Sequence, residues 1–324
     1  MKKKLAVMAL AAATLSMMAM PVYADDLVTV GYAQVGHESD WRTANTQNYQ
    51  DVFSEDAGYS LDLVDCDNDN AAQLEAVRTF ISKDMDYIVI APIQSAGWDT
   101  VLQEAQDAGI PVIIVDRMVD VSDDSLYTAW VGSNFKLEGQ KAMAWLDAYL
   151  EAKGRGDEEI NLVDIQGTIG ASAQIGRTEG FDEAVEAHDN WTTLAQQSGE
   201  FTQAKGQEVM ESFLKSYPDI DVVICENDNE AFGAIDAIHA AGKTCGPNGD
   251  IIVVSFDSVK AAFESMIKGD LNATFECNPL HGPRVAEIIQ KLEKGEQVDK
   301  VQYVDEAYFD TSMDLENILK DRAY

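Results

Sequence analysis

Basic residues are scarce in this sequence. Its 324 residues include 23 lysines and arginines against 57 aspartates and glutamates, which gives a formal net charge of -34 at pH 7. Nucleic-acid binding depends on basic side chains that neutralise phosphates, and anionic lipid surfaces attract the same side chains. We therefore expect no nucleic-acid partner and no docking on anionic lipid. Five Trp, eleven Tyr and eleven Phe supply a core, so the acidity does not indicate disorder.

Cysteine is also rare, with four in the chain: Cys66, Cys225, Cys245 and Cys277. None belongs to a Cys-x-x-Cys pair, so the spacing predicts neither a zinc site nor a thioredoxin-like motif. Four cysteines permit three complete pairings, and the sequence does not choose among them. The alternative is that the thiols are buried unpaired, as small apolar residues.

One long apolar run is present, at the N-terminus. Three lysines at positions 2–4 precede an apolar run over 5–20, and Val22 and Ala24 are small residues at its exit. This order predicts a secretory signal peptide over 1–24, cleaved after Ala24. A membrane anchor is the alternative, but the run is shorter than the roughly 20 residues of a span. We expect an exported, periplasmic protein, whose net charge falls to -37 when three signal lysines are removed.

Motifs of catalysis and metal binding are missing. The glycine-rich stretch GTIGAS over 167–172 is neither GxGxxG, GxSxG nor a Walker loop, and HExxH is absent. Asp65, Asp67 and Asp69 open like a calcium loop, but Asn70 and Ala76 stand where that loop needs Gly and Glu. A strand-to-helix turn is the favoured interpretation there. We expect no catalytic residue, no metal and no cofactor.

Apolar β-branched runs alternate with helical periods along the chain. Such continuous apolar strands between helices predict an α/β fold with parallel sheets covered on both faces. The predicted strands cover 27–32, 61–64, 87–90, 112–115, 160–163, 222–224 and 251–254. The predicted helices cover 41–57, 71–82, 98–108, 173–188 and 230–240.

The pattern restarts near residue 160. The passages over 87–117 and 222–257 both run strand, polar loop, helix, Ala-Gly, strand and Asp. Gly109 and Gly242 suit helix C-terminal caps. The length is about that of two domains, and the restart predicts two similar α/β lobes.

Polar side chains follow the predicted strands. Ligands of open parallel sheets bind outside the carboxyl ends of the strands, so these residues are expected to line a cleft between the lobes. The set comprises residues 38–42, 92–94, 116–117, 166–177, 227–228 and 257. Carboxylates and guanidiniums suit the hydroxyls of an uncharged polyhydroxylated ligand, and Trp41 offers a face for a sugar ring.

Each of these residues also has a structural interpretation that the sequence leaves open. Asp116 suits a turn, although Arg117 follows it at once. Trp41 suits a core position, Arg177 a solvated helix face, and Asn227 a helix cap.

The sequence resembles the periplasmic sugar-binding proteins of ABC importers, in the ribose and galactose group. The resemblance covers residues 28–305 and rests on six strings in order: GYAQVGHESDWR, DYIVIAPIQSAGWDTVLQEAQDAGIPVIIVDR, QGTIGASAQIGRTEGF, SGEFTQAKGQEVMESFL, ENDNEAFGAI and VVSFDS. Galactofuranose-binding proteins show the most similar strings. The resemblance implies the type I fold, two Rossmann-like lobes joined by a three-stranded hinge. It implies lobes of 25–130 with 277–305 and of 131–276 with 306–324, with crossings near Val131, Cys277 and Glu306.

The resemblance also implies which residues contact the ligand. They are Glu38, Trp41, Arg42, Asp116, Arg117, Arg177, Phe201, Asn227, Asp257 and Glu276, and Glu38 and Glu276 are the weakest matches. Ribose binders carry two adjacent aromatics where this chain has Trp41-Arg42, and a Gln where it has Cys277. These departures disfavour plain ribose and favour a ligand that accepts one more hydrogen bond, such as galactofuranose or a related hexose or pentose.

The implied function is capture of a monosaccharide by a monomer that delivers it to the membrane permease of an ABC importer. A chemoreceptor ligand carrier is an alternative that shares the fold and the site. A carbohydrate hydrolase using Asp257 or Glu276 is a further alternative, without a nucleophile motif to support it. A sugar-sensing repressor needs a basic headpiece, which this acidic chain lacks.

Overall fold

The computed structural model describes residues 27–324, and the predicted signal peptide lies outside these residues. Within that range the fold is α/β, as predicted. The strands are β1 Val28–Gln34, β2 Tyr59–Asp65, β3 Tyr87–Ile90, β4 Val112–Val115, β5 Ala129–Gly132, β6 Ile160–Gln166, β7 Trp191–Ser198, β8 Val222–Cys225, β9 Ile252–Asp257, β10 Ala273–Glu276, β11 Val301–Tyr303 and β12 Tyr308–Asp310. The helices are α1 Asp40–Val52, α2 Asn70–Ser82, α3 Asp99–Asp107, α4 Phe135–Ala152, α5 Ser172–Glu186, α6 Gln203–Ser216, α7 Asp228–Ala240, α8 Lys260–Lys268, α9 Gly282–Glu293 and α10 Leu315–Asp321.

The strands form two sheets of six. The first has the order β11-β5-β4-β3-β1-β2 and is wholly parallel. The second has the order β12-β10-β9-β8-β6-β7 and is parallel except for the edge strand β12. In each sheet the strand order reverses beside the strand that comes first along the chain. The reversal lies between β1 and β3 in the first sheet and between β6 and β8 in the second. A ligand site is expected outside the carboxyl ends of the strands at such a reversal.

Each sheet and its helices form one lobe. Helices α1 and α9 pack together beside the first sheet, as do α2 and α3. In the second lobe α4 packs on α5, α6 on α7, and α8 on α10. Alternate residues of the second sheet point to opposite helical layers, Leu162 into one core cluster and Val163 into the other. Burial of both faces explains why its strands read as unbroken apolar runs.

The chain passes between the sheets three times, after Gly132, after Glu276 and after Tyr303. Glu306 ties these passages together, because its Oε1 accepts from Ser133 Oγ at 2.5 Å and from the Asn278 N–H at 3.0 Å. Burial raises the pKa of Glu306 to about 9. The three segments therefore form one hydrogen-bonded hinge between the lobes.

Local details refine the predicted elements. The helix predicted over 41–57 ends at Val52, because Phe53 turns inward and stacks on Tyr49, with ring centroids 5.8 Å apart. Gly109 and Gly242 have φ of 77° and 74°, the left-handed backbone expected just after a helix.

The structure also shows the roles of the aspartate triplet and of the four cysteines. Asp69 caps α2 and accepts from the N–H groups of Ala71 and Ala72, so the aspartate triplet serves the strand-to-helix turn. All four cysteines are buried free thiols. No helix within residues 27–324 has both the length and the apolar character that crossing a bilayer requires.

Candidate functional site

A cavity lies between the lobes at the carboxyl ends of the strands of both sheets. The volume inside it that water can reach is about 20 Å³, room for roughly one water molecule, so the lining side chains nearly fill it. Its lining consists of Glu38, Ser39, Trp41, Arg42, Asp116, Arg117, Phe135, Ala173, Arg177, Phe201, Asn227, Asp257 and Cys277. Both lobes therefore contribute to a single site.

The first lobe contributes a network of charges. Arg42, in the first turn of α1, donates through Nε to Glu38 Oε1 at 3.0 Å and through a terminal nitrogen to Asp116 Oδ2 at 2.7 Å. Arg117, the second residue after β4, lies 3.5 Å from the same Glu38 oxygen. Among the described residues Glu38 Oε2 is buried without a hydrogen-bond partner, so it is free to accept from a ligand.

Neighbouring charges keep Arg42 and Asp116 ionised despite their burial. Burial alone would raise the pKa of Asp116, but Arg42 and Arg117 outweigh it and hold that pKa below its ordinary value. Burial alone would likewise lower the pKa of Arg42, and the carboxylates of Glu38 and Asp116 instead raise it. Arg42 therefore remains a charged donor and Asp116 a charged acceptor inside the cavity.

The second lobe contributes Arg177 and Asp257. Arg177, on α5, donates from Nε to Glu138 Oε2 at 2.8 Å and from a terminal nitrogen to the carbonyl of Glu226. Its other terminal nitrogen is 3.7 Å from Asp257 Oδ1, at the end of β9. Burial raises the pKa of Asp257 well above its ordinary range, although Arg177 opposes this. A carboxyl with a raised pKa can donate as well as accept a hydrogen bond.

Flat apolar faces complete the walls. The Arg42 guanidinium lies 4.6 Å from the ring centre of Trp41, and the Arg117 guanidinium lies 5.0 Å from that of Phe201. Trp41 Nε1 donates to the carbonyl of Cys277 at 2.6 Å, which fixes the indole against the hinge. Aromatic faces beside guanidiniums suit a ring with an apolar C–H face and polar edges.

Three lining residues have left-handed backbone. Asp116, Phe201 and Asp257 have φ of 59°, 62° and 105°, a region that residues other than glycine rarely adopt. All three follow or end a strand, where the turn aims the side chain into the cavity. Such strain costs on the order of 1–3 kcal/mol at each position and is typical of ligand sites.

Direct hydrogen bonds join the two lobes around the cavity. The Ser95 N–H and Oγ both donate to the carbonyl of Gly170, at 2.9 and 2.8 Å. The Met118 N–H donates to Ser172 Oγ at 2.7 Å, and the Asp40 N–H donates to Asn229 Oδ1 at 3.0 Å. The structure is therefore the closed conformation of the two lobes.

A family model described as the periplasmic binding protein domain matches residues 30–296. The chain belongs to this periplasmic binding protein family.

Individual relatives cover nearly the whole chain. The galactofuranose-binding protein YtfQ of Escherichia coli (strain K12) is 38% identical over 297 residues, 91% of this chain and 90% of that protein. A Mycobacterium smegmatis structure in complex with β-D-fucofuranose has a TM-score of 0.86 and 38% identity, over 91% of this chain and 94% of the other. The binding protein of the arabinose ABC transporter from Shewanella sp. ANA-3, bound to L-arabinofuranose, has a TM-score of 0.84 and 37% identity, over 91% and 95%. The type I fold and a binding rather than enzymatic role follow from this membership.

Nine of the ten residues predicted as ligand contacts line the cavity of this periplasmic binding protein. The tenth, Glu276, lies elsewhere: its Oε1 accepts from Arg322 at 2.6 Å and from the Tyr324 hydroxyl at 2.9 Å. Asn227 both lines the cavity and caps α7, where it forms a capping box with Glu230. The two interpretations of Asn227 are therefore compatible.

Four lining residues were not among the predicted ligand contacts. Ser39 is the N-cap of α1 and lies between two residues that were predicted, so its position was the available signal. Phe135 and Ala173 begin α4 and α5, and nothing in their local sequence marks them as ligand contacts. Cys277 was noted only as a difference from ribose binders, and it lies in the cavity wall.

Proposed function

We propose that this chain is an exported binding protein that captures a monosaccharide, galactofuranose or a related hexose or pentose, between its lobes. The observation that carries the proposal is the closed cavity itself, in which Arg42 and Asp116 face Arg177 and Asp257 across the two lobes. A ligand closes two lobes only if it contacts both of them. Charged donors and acceptors beside flat aromatic faces suit sugar hydroxyls and a sugar ring.

The ring form follows from the same site and from the relatives. Relatives of 37–38% identity are named for galactofuranose or are bound to fucofuranose or arabinofuranose. The cavity is small, and Arg42 and Arg117 form one wall close to Trp41 and Phe201. We propose that Trp41 and Phe201 cover the faces of a five-membered ring, and that the three carboxyl and three guanidinium groups of the lining bind its hydroxyls.

The proposal includes the place and partner of the protein. The signal peptide over 1–24 is removed after Ala24, and the monomer works in the periplasm. Residues 25–130 with 277–305 and residues 131–276 with 306–324 move as two lobes about the hinge. The closed form delivers the sugar to the membrane permease of an ABC importer.

A thermal-shift screen of the chain from Asp25 onward tests this function. Pentoses and hexoses are equilibrated long enough to populate furanose forms, and anhydro derivatives of galactitol with five- or six-membered rings separate the two ring sizes. A ligand at a hundredfold excess over its dissociation constant stabilises by about 2.7 kcal/mol. We expect a rise in the unfolding temperature with a five-membered ring, and none in Asp116→Ala. A screen in which no sugar shifts the transition would overturn the proposal, and preference for the six-membered ring would overturn its ring form.

A further inference from the structure

A second cluster of polar side chains lies at the amino ends of strands β9 and β10, at the end of the second sheet away from the sugar cavity. His239 is in the last turn of α7, Cys245 is in the connection from α7 to β9, and Asp270 follows α8. One nitrogen, one sulfur and one oxygen of these residues lie within 4.8 Å of one another. The spacing of cysteines in the sequence predicts no zinc site, because the three residues come together only in the fold.

Two of the three distances within this cluster match tetrahedral zinc. His239 Nε2 is 3.6 Å from Cys245 Sγ and 3.3 Å from Asp270 Oδ1. Bonds of about 2.3 Å to sulfur and about 2.0–2.2 Å to nitrogen and oxygen, at tetrahedral angles, separate sulfur from nitrogen by about 3.5 Å and nitrogen from oxygen by about 3.4 Å. His239 is thus already at distances that suit zinc from both other donors, and the sulfur and the carboxylate oxygen lie within 4.8 Å of each other.

The backbone holds the cluster in place. Gly246 has φ of 83° and passes so close to the Gly269 carbonyl that no side chain fits there. The Gly246 N–H donates to the carbonyl of Ile251 at 3.0 Å, and the Asp270 N–H donates to that of Ser265 at 3.0 Å. Cys245 and Asp270 are therefore fixed against each other without a metal.

One side of the cluster is open to solvent. Lys268 Nζ binds Asp270 Oδ2 at 2.6 Å, so the other carboxylate oxygen remains directed at His239. The Cys245 side chain is buried, while the His239 side chain is 39% exposed and gives access from solvent. Imidazole, thiolate and carboxylate together are a ligand set suited to zinc.

We propose that His239, Cys245 and Asp270 bind one zinc ion at the base of the second lobe. The Cys245 sulfur forms a bond to the ion and releases its proton to solvent, and a water molecule takes the fourth position. The ion joins the ends of α7 and α8 to the connection between them. Zinc that binds the folded state and not the unfolded state stabilises the folded state by mass action.

The test uses the reduced, chelator-treated chain from Asp25 onward, without a polyhistidine tag. Zn²⁺ is titrated against thermal unfolding, and Co²⁺ is titrated against the thiolate-to-cobalt absorption band. We expect one ion per chain, a rise in the unfolding temperature with Zn²⁺, and the cobalt band. His239→Ala and Cys245→Ser are each expected to weaken binding more than about tenfold, since loss of even an outer partner of a metal ligand has that effect.

Two variants serve as matched controls. Cys66→Ser removes another buried thiol, and His188→Ala removes another partly exposed imidazole, and both are expected to bind zinc as the unmodified chain does. Because His239 is partly exposed, its variant is expected to fold even if Cys245→Ser does not. Absence of a zinc-dependent shift, or the same shift in His239→Ala as in the unmodified chain, would overturn the proposal.

Discussion

At the scale of single residues, the sugar cavity is defined by which buried charges lack a complete set of partners. Glu38 places one oxygen between Arg42 and Arg117 and leaves the other without a partner among residues 27–324. Glu276 is also an acid predicted to contact the ligand, but Arg322, Tyr324 and the Ala307 N–H use its oxygens. The structure thus shows that Glu38 has an oxygen available to a ligand and that Glu276 does not, a difference that the sequence could not predict.

The pair Glu38→Gln and Glu276→Gln tests that difference. A hydrogen bond to a charged group contributes about 1.5–3 kcal/mol, so Glu38→Gln is expected to weaken sugar affinity about tenfold or more. Glu276→Gln is expected to change sugar affinity less than about twofold and to lower thermal stability instead. Calorimetric titration measures the affinities. Equal losses of affinity in the two variants would show that Glu276 contacts the sugar as well.

The buried carboxyl of Glu226 is expected to make the free energy of unfolding depend on pH. Burial raises the pKa of this carboxyl to about 8, although Thr178 and the Gly167 N–H oppose the shift. The folded state therefore holds a proton that the unfolded state, with a pKa near 4.5, has lost. The contribution of Glu226 to the free energy of unfolding is fully present below about pH 4.5. It is lost as the pH rises towards 8, by on the order of 1 kcal/mol per pH unit for this one proton.

Glu226→Gln removes this titration while keeping the shape of the side chain. Its free energy of unfolding, from urea denaturation at a series of pH values between 6 and 9, is expected to fall less steeply than that of the unmodified chain. Glu186→Gln, on the exposed face of α5, is the control and should follow the unmodified chain. Parallel curves for Glu226→Gln and the unmodified chain would refute the assigned pKa.

At the scale of elements, close helix packing positions the second lobe's part of the site. Helices α4 and α5 touch through glycines, and a Cβ on Gly139 would lie 2.6 Å from the Arg177 carbonyl oxygen. A Cβ on Gly180 would similarly lie 2.6 Å from the Gln140 nitrogen. Phe135 on α4 and Arg177 on α5 both line the cavity. The spacing of these two helices therefore sets the position of both side chains.

Gly139→Ala is expected to push α5 away from α4. Overpacking of this kind costs about 1–3 kcal/mol of stability. Because Arg177 moves with α5, sugar affinity is expected to fall about tenfold or more as well. Ala148→Ser, on the exposed face of α4, is the control and should change both quantities little. Loss of stability without loss of affinity would show that Arg177 is positioned by other contacts.

Strands buried on both faces were predictable, because their sequence shows little else than β-branched residues. β3 and β4 have the predicted bounds, whereas β6 extends to Gln166 through the buried Asp164, a polar residue that breaks the apolar pattern. Helix α4 was not predicted, although Phe135, Gly139, Ala142, Met143, Leu146 and Leu150 are buried at helical spacing. The edge strands β11 and β12 are short and partly exposed, so no local pattern marks them.

The site was predictable for a related reason. Residues at the carboxyl ends of parallel strands meet at one edge of a sheet, and this rule identified Arg42, Asp116, Arg177 and Asp257 from their position along the chain. It did not identify Phe135, which enters the cavity because the chain crosses to the second lobe just before α4. Such crossings depend on long-range packing and not on local composition.

At the scale of the whole molecule, the scarce basic residues have a specific distribution. The chain carries a net charge of -34, yet three arginines are buried together where the two lobes meet. Buried charges are stable only when paired, and here every arginine has a carboxylate from its own lobe. The charge of each of these arginines is thus balanced within its own lobe, and in the proposed function a sugar joins the two networks.

Calorimetric titration of the chain from Asp25 onward with the sugar that stabilises it, beside Asp116→Ala and Arg177→Ala, tests capture between the lobes most directly. Circular dichroism establishes that both variants keep the fold. Capture between the lobes predicts one sugar per unmodified chain and loss of measurable binding in both variants, because each removes the charged contact of a different lobe. Affinity that is unchanged in both variants would contradict it.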